Sequence, residues 1–155
     1  MNNSEHYKFM RLALEEANKS KEELEVPIGA VLVHDGEVIS TGRNKREILK
    51  NALLHAEIDA INKACKKLNR WRLTGCTLYV TLEPCPMCAG AIINSRISKV
   101  VYGTADPKAG SCGSIINLFD LPYNHIPKIV SGILKEECSE ILSSFFKKLR
   151  KNKSP

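Results

Sequence analysis

The amino-acid sequence predicts an α/β fold, a mixed sheet of about five strands flanked by helices. Three observations lead there. The elements run helix, hairpin, then strands alternating with helices. An Asp35-Gly36 turn marks the hairpin. Both ends of the chain carry apolar residues at helical spacing, Phe9, Leu12, Ala13 and Ala17 at one and Leu134, Cys138, Ile141, Leu142, Phe145 and Leu149 at the other. Such helices need a sheet to cover.

In order, a first helix fits roughly residues 5 to 20. Val26 to Val33 reads as a buried strand, His34 to Glu37 as a turn, and Val38 to Thr41 as the hairpin partner. A polar loop from Gly42 to roughly Ala52 leads to a helix over Leu54 to Leu68. Thr77 to Thr81 is a strand, Pro86 to Asn94 a helix, and Lys99 to Gly103 a strand. After a loop rich in Gly, Asp and Ser, Lys128 to Val130 forms a short last strand, and Leu134 to Leu149 closes the chain as a helix. In sheets of this kind, sites form where loops leave strand ends and helices begin.

The 155 residues suit one domain spanning residues 1 to 155, with residues 151 to 155 as a flexible basic tail. No run approaches the roughly 20 apolar residues of a membrane span. The N-terminus lacks the basic and apolar regions of a secretory signal, so a cytoplasmic protein without a membrane partner is expected. The net charge of +6 favours an anionic partner such as nucleic acid, and Lys147 to Lys153 holds five of the 23 cationic residues. Of the six cysteines, Cys65, Cys76, Cys112 and Cys138 read as small buried hydrophobes. Only Cys85 and Cys88 have ligand spacing.

These two lie in Glu83-Pro84-Cys85-Pro86-Met87-Cys88. Proline suits the first helical position, where no backbone donor is needed. Cys85 is then the cap residue and Cys88 lies one turn on, so both sulfurs can meet one ion. The helix N-terminus also favours the thiolate that binds metal. A C-x-x-C pair alone serves thiol exchange equally well. The second motif, His55-Ala56-Glu57, tips the balance. His55 offers a third ligand and Glu57 a proton shuttle. Residues two apart on a helix point about 200° from each other. The pair therefore works best at the very start of its helix, with His55 leaning back over the terminus. Together the motifs match the H-x-E and P-C-x-x-C signature of zinc deaminases of nucleobases. One zinc per subunit is expected on His55, Cys85 and Cys88, with the fourth position left open for water and Glu57 as the catalytic acid and base.

The resemblance then becomes closer. Glu25 to Val33 (EVPIGAVLV), His55 to Ile58 (HAEI), Trp71 to Ile92 (WRLTGCTLYVTLEPCPMCAGAI), Ser95 to Gly103 (SRISKVVYG) and the helix containing ECSEILSSFFKKLR resemble bacterial tRNA-specific adenosine deaminases, within the cytidine deaminase superfamily. The likeness covers roughly residues 5 to 150. It implies the three-layer cytidine deaminase-like fold, a homodimer, and hydrolytic conversion of adenosine to inosine at the wobble position (34) in a tRNA anticodon stem-loop. It also implies substrate contacts at Asn44 on the target base and at Asp106 and Asn124 beside the loop. Two departures stand out. Asn51-Ala52-Leu53-Leu54 replaces a Pro-Thr-Ala lead-in to the first motif, and Ala105 stands where some relatives carry Arg.

Two other functions share these motifs. A free-base or nucleoside deaminase of guanine or cytosine type would use the same zinc chemistry without the basic end. A zinc-stabilised RNA-binding module would need no Glu57, because structural zinc sites close with four protein ligands.

Overall fold

The computed structural model describes residues 3–153. The elements are α1 (Asn3–Glu22), β1 (Gly29–His34), β2 (Glu37–Arg43), α2 (Ala56–Leu68), β3 (Cys76–Leu82), α3 (Pro86–Ser95), β4 (Lys99–Thr104), β5 (Lys128–Ser131) and α4 (Lys135–Lys153). A single 3-10 turn, Leu118–Asp120, interrupts the loop before β5. Among the described residues, no helix is long and apolar enough to cross a membrane.

The five strands form one sheet in the order β2-β1-β3-β4-β5. β1 is antiparallel to both its neighbours, while β3, β4 and β5 run parallel. Alternation along the strands divides the core in two. Ala30, Leu32, Leu78, Val80 and Val100 face Ala60, Ala64, Ala89 and Ile92 of α2 and α3. Val31, Val33, Tyr79 and Val101 face Phe9, Met10 and Ala13 of α1 and Cys138 of α4. The result is the expected three-layer, mixed five-stranded sheet.

The boundaries shift for local reasons. β1 begins at Gly29 because the Ile28 amide turns back to the Val26 carbonyl (2.9 Å) and Pro27 has no amide to offer. α2 begins at Ala56 because His55 is extended, at φ −73° and ψ 160°. α4 begins after Leu134, which sits at φ 53°. At its other end α4 runs on to Lys153. The tail expected from residue 151 thus continues the helix, and its last two positions, 154 and 155, lie outside the described residues. The apolar stripe of α4 also ends earlier than expected: Cys138 and Phe145 are buried, but Leu149 is exposed. Three of the four non-motif cysteines are buried, with Cys65 half-buried.

One glycine sets how closely α2 approaches the sheet. A Cβ at Gly42 would lie 2.2 Å from the Ala56 carbonyl oxygen and 2.6 Å from the Ala60 amide. Only a residue without a side chain lets β2 press against the first turn of α2.

The α1 layer contains a titrating contact. His6 is 4% exposed, and its Nδ1 lies 2.8 Å from the Tyr79 hydroxyl. Burial, aided by the positive charge of Lys99, holds the imidazole below its ordinary pKa of 6.5. The unfolded chain therefore takes up this proton first as pH falls below about 6.5, and stability falls with it. His6→Gln removes the titration while keeping a polar partner for Tyr79. Thermal melts should show the unaltered protein losing more Tm than His6→Gln between about pH 7.5 and pH 5. Parallel losses would remove His6 from the account.

Candidate metal centre and cleft

Two helix N-termini meet at the carboxyl end of β3. That strand runs through Glu83 and Pro84 into Cys85, the N-cap of α3, with Pro86 in the first turn. His55 is the N-cap of α2. Both residues are extended, and neither side chain caps its own helix. Their donor atoms are left to share one point. The His55 Nδ1 lies 3.5 Å from the Cys85 Sγ and 3.6 Å from the Cys88 Sγ. All three donor atoms fall within 4.8 Å of one another. One imidazole nitrogen and two sulfurs suit a borderline-soft divalent ion such as zinc. Three ligands leave one position free.

The thiols and the imidazole share their protons. Hydrogen bonds from Cys88 and His55 push the Cys85 thiol down to about 4, against the opposing effect of burial. The same contact with Cys85, together with burial, pushes Cys88 up. Hydrogen bonding to Cys85 also raises the His55 imidazole. Cys85 is thereby favoured as the thiolate, the form that binds metal.

Glu57 follows in the first turn of α2 and is 4% exposed. Burial pushes its carboxyl up to about 7. Its charge helps push the Cys88 thiol up, which puts it beside the ligand cluster.

His55, Glu57 and Cys85 form the floor of a cleft of about 670 Å³. One wall carries Val26, Ile28, Asn44 and Arg46, and a second runs from Thr104 to Ala109. A third is the face of α4 bearing Ser139, Leu142, Ser143, Phe146, Lys147 and Arg150.

Of the substrate-contacting residues expected from sequence, Asn44 and Asp106 line the cleft. Asn44 is 4% exposed. Its Nδ2 donates to the Val26 carbonyl (3.2 Å) and its Oδ1 accepts from the Arg46 amide (3.2 Å). It shapes a turn, yet one donor and one acceptor position of the amide remain available. The Asp106 Oδ1 accepts from the amides of Lys108 (3.0 Å) and Ala109 (3.3 Å), shaping its own turn. Asn124 is exposed in the loop between the 3-10 turn and β5, and it does not line the cleft.

Sequence reasoning missed the contribution of α4. Its core stripe was visible, but Ser139, Ser143, Phe146 and Arg150 form a second stripe at three- and four-residue spacing. Phe146, an exposed aromatic between small and basic residues, was the available signal. Glu83 was also missed. It lines the cleft yet is 2% exposed. Burial works to raise its carboxyl, but hydrogen bonds from Ser114, Asp106 and Cys112 outweigh that and hold it below the usual range.

Comparison with known proteins agrees with this geometry. The family described as MafB19-like deaminase matches residues 4–150, so fold and site together define a deaminase. The tRNA-specific adenosine deaminase of Bacillus subtilis is 53% identical over 146 residues, covering 94% of this chain and 91% of that one. The Aquifex aeolicus enzyme of the same name is 50% identical over 145 residues, covering 93% and 95%. The chain belongs to the tRNA-specific adenosine deaminase family. A solved structure from a study of A-to-I editing by tRNA:A34 deaminases at the wobble position of transfer RNA superposes with a TM-score of 0.85. It is 48% identical and covers 87% of this chain and 99% of its own.

Proposed function

We infer that this chain deaminates adenosine to inosine, with water as co-substrate and ammonia as second product, at the wobble position of a tRNA anticodon. The observation that carries this reading is Glu57, buried beside three metal-donor atoms at the floor of a cleft with a cationic rim. Family membership supplies the substrate class.

His55, Cys85 and Cys88 would hold one zinc ion per subunit. When bound, the ion supplies an activated water. Glu57 takes one proton from the water and carries it to the purine ring nitrogen, then takes the remaining proton from the added hydroxyl and delivers it to the departing amine. A carboxyl near neutrality can accept and return a proton at physiological pH. Asn44 offers its remaining donor and acceptor to the edge of the base, and Asp106 borders the neighbouring nucleotide. Asn124, outside the cleft, is assigned a contact with the RNA further along the loop.

Arg46, Lys108, Lys147 and Arg150 ring the cleft with positive charge, which suits phosphates. A duplex cannot present the amino-bearing carbon, so the base must leave its stack, and an anticodon loop offers unpaired bases. A tRNA substrate also supports the cytoplasm as the compartment. The homodimer expected from the resemblance is retained, supported by Ile115, Ile116 and Ile126, which are exposed away from the cleft.

The deciding experiment compares turnover on an anticodon stem-loop with turnover on free adenosine, guanine and cytosine. Turnover only on the stem-loop is expected. Faster turnover of a free base would replace this reading with a small-molecule deaminase. In the same assay, affinity should fall steeply with salt. At about 0.7 log units per phosphate neutralised on a single strand, four rim cations predict a log-log slope of about −3. A flat titration would remove the electrostatic part of the argument.

A further inference from the structure

Of the five buried acidic residues among the described residues, Glu57 belongs to the floor of the cleft and two face cations. Glu16 meets Lys19, and Asp59 meets Lys45 and Lys63. Glu25 and Glu83 do not. They are 1% and 2% exposed, and no ion pair to either carboxylate is found among the described residues. Their partners are mainly backbone amides. The Glu25 oxygens accept from the amides of Glu47 (3.1 Å) and Ile48 (2.8 Å). The Glu83 oxygens accept from the amides of Asp106, Cys112 and Ser114, each at 3.0 Å, and from the Ser114 hydroxyl.

The amides belong to the two loops that wall the cleft. Glu25 holds the loop that follows Asn44 and Arg46. Glu83 holds the loop that begins at Asp106. The second loop also closes tightly on its anchor: a Cβ at Gly110 would lie 2.4 Å from the Glu83 carboxyl carbon and the same from its Oε1. Any side chain there would push the loop off the carboxylate. A buried anion is costly unless its hydrogen-bonding capacity is filled. An anion held only by donors of a loop is therefore satisfied in one loop position and not in its neighbours. That is how a loop on the surface is given the rigidity of a core.

We propose that Glu25 and Glu83 are positioning residues, two buried carboxylate clamps that fix the opposite walls of the cleft at the separation that admits a splayed nucleotide. The substrate half of this statement rests on the function proposed above. The loop-fixing half does not. Neither residue touches the reacting atoms. Each acts through a loop, Glu25 through the wall that bears Asn44 and Glu83 through the wall that bears Asp106.

The test uses the full chain with Glu25→Gln, Glu83→Gln and Ser114→Ala. Glutamine keeps the shape of each side chain but turns a donor toward at least one loop amide. Folded, metal-loaded Glu83→Gln is expected to show a KM for the stem-loop raised about tenfold, the scale of one lost hydrogen bond to a charged acceptor. Its kcat should fall by less than KM rises, because the lost bonds go to the loop rather than to the donor atoms of the floor. Glu25→Gln should raise KM and also lower kcat, since its wall leads into His55. A purely structural role predicts a lower Tm with KM and kcat unchanged, and that result overturns the proposal. Should Glu83→Gln fail to retain zinc, Ser114→Ala decides. It removes one bond to the clamp from a residue well along the loop, and an unchanged KM in it also overturns the proposal. Should the unaltered enzyme fail on the stem-loop, the substrate reading falls, and amide hydrogen exchange tests the clamps alone. Faster exchange at Asp106 and Cys112 in Glu83→Gln supports them, and unchanged exchange refutes them.

Discussion

Replacing Glu57 with Ala should leave one zinc per chain and lower single-turnover deamination by about three to four orders of magnitude, at the upper end of what general acid–base catalysis contributes. At 1.36 kcal/mol per factor of ten, that is about 4–5.5 kcal/mol of transition-state stabilisation. The size follows from position. Glu57 is the buried carboxyl beside the ligand cluster, whereas Glu83, the other buried carboxyl of the cleft, is engaged by loop donors and does not replace it. Glu57 is not one of the three clustered donors, so metal content should survive. Glu57→Gln, with the same shape and no proton to exchange, should be nearly as slow. Glu57→Asp should recover part of the rate. RNA affinity should change little in all three. Near-normal single-turnover rates in Glu57→Ala would remove the residue from the chemistry.

The second large effect is expected at Cys88. Cys88→Ala should lose zinc, activity and stability together. Cys88 is fully buried, and its removal leaves His55 and Cys85 as a two-ligand remnant. Binding energy held by the folded state alone is folding energy. At a thousandfold excess of metal over Kd, linkage gives about 4 kcal/mol. For a chain of this size that corresponds to a Tm lower by about 8–16 °C. A chelator added to the unaltered protein should reproduce the shift, whereas Cys88→Ala should no longer respond to chelator. Elemental analysis showing full zinc occupancy in Cys88→Ala would overturn the ligand assignment.

The floor of the site was legible in the sequence because its geometry is local. A helix start fixes its own cap. Pro86 after Cys85 and the mismatch between positions 55 and 57 both required the motifs to sit at first turns, and there they sit. The layers were legible too, since alternation and helical spacing are properties of single segments. The walls were not. Hydropathy treats a glutamate as a surface residue, so Glu25 and Glu83 could not be recognised as buried anchors without their loop partners, which for Glu83 lie 23 to 31 residues away. Asn44 and Asp106 were visible as loop residues, but their turn-shaping hydrogen bonds depend on backbone that the sequence does not display. In α4 the stronger apolar stripe hid the weaker one. Leu149 was counted with the core because it fits the period, although the helix has by then run past the sheet and left it exposed.

The second stripe of α4 also has a length. From Ser139 to Arg150, at about 1.5 Å of rise per residue, it extends about 16 Å. A stacked strand rises about 3.4 Å per nucleotide along its axis, so on the function proposed above the stripe would span about five of them. The helix is a ruler laid along the cleft, graduated by hydroxyls at one end and by a guanidinium at the other. Its zero mark is set from behind, by Cys138 and Phe145 seated in the core. A change that slid α4 by a single turn would displace every graduation by about 5.4 Å, more than one nucleotide. On the function proposed above, the fit of a strand would thus be calibrated by residues it never meets.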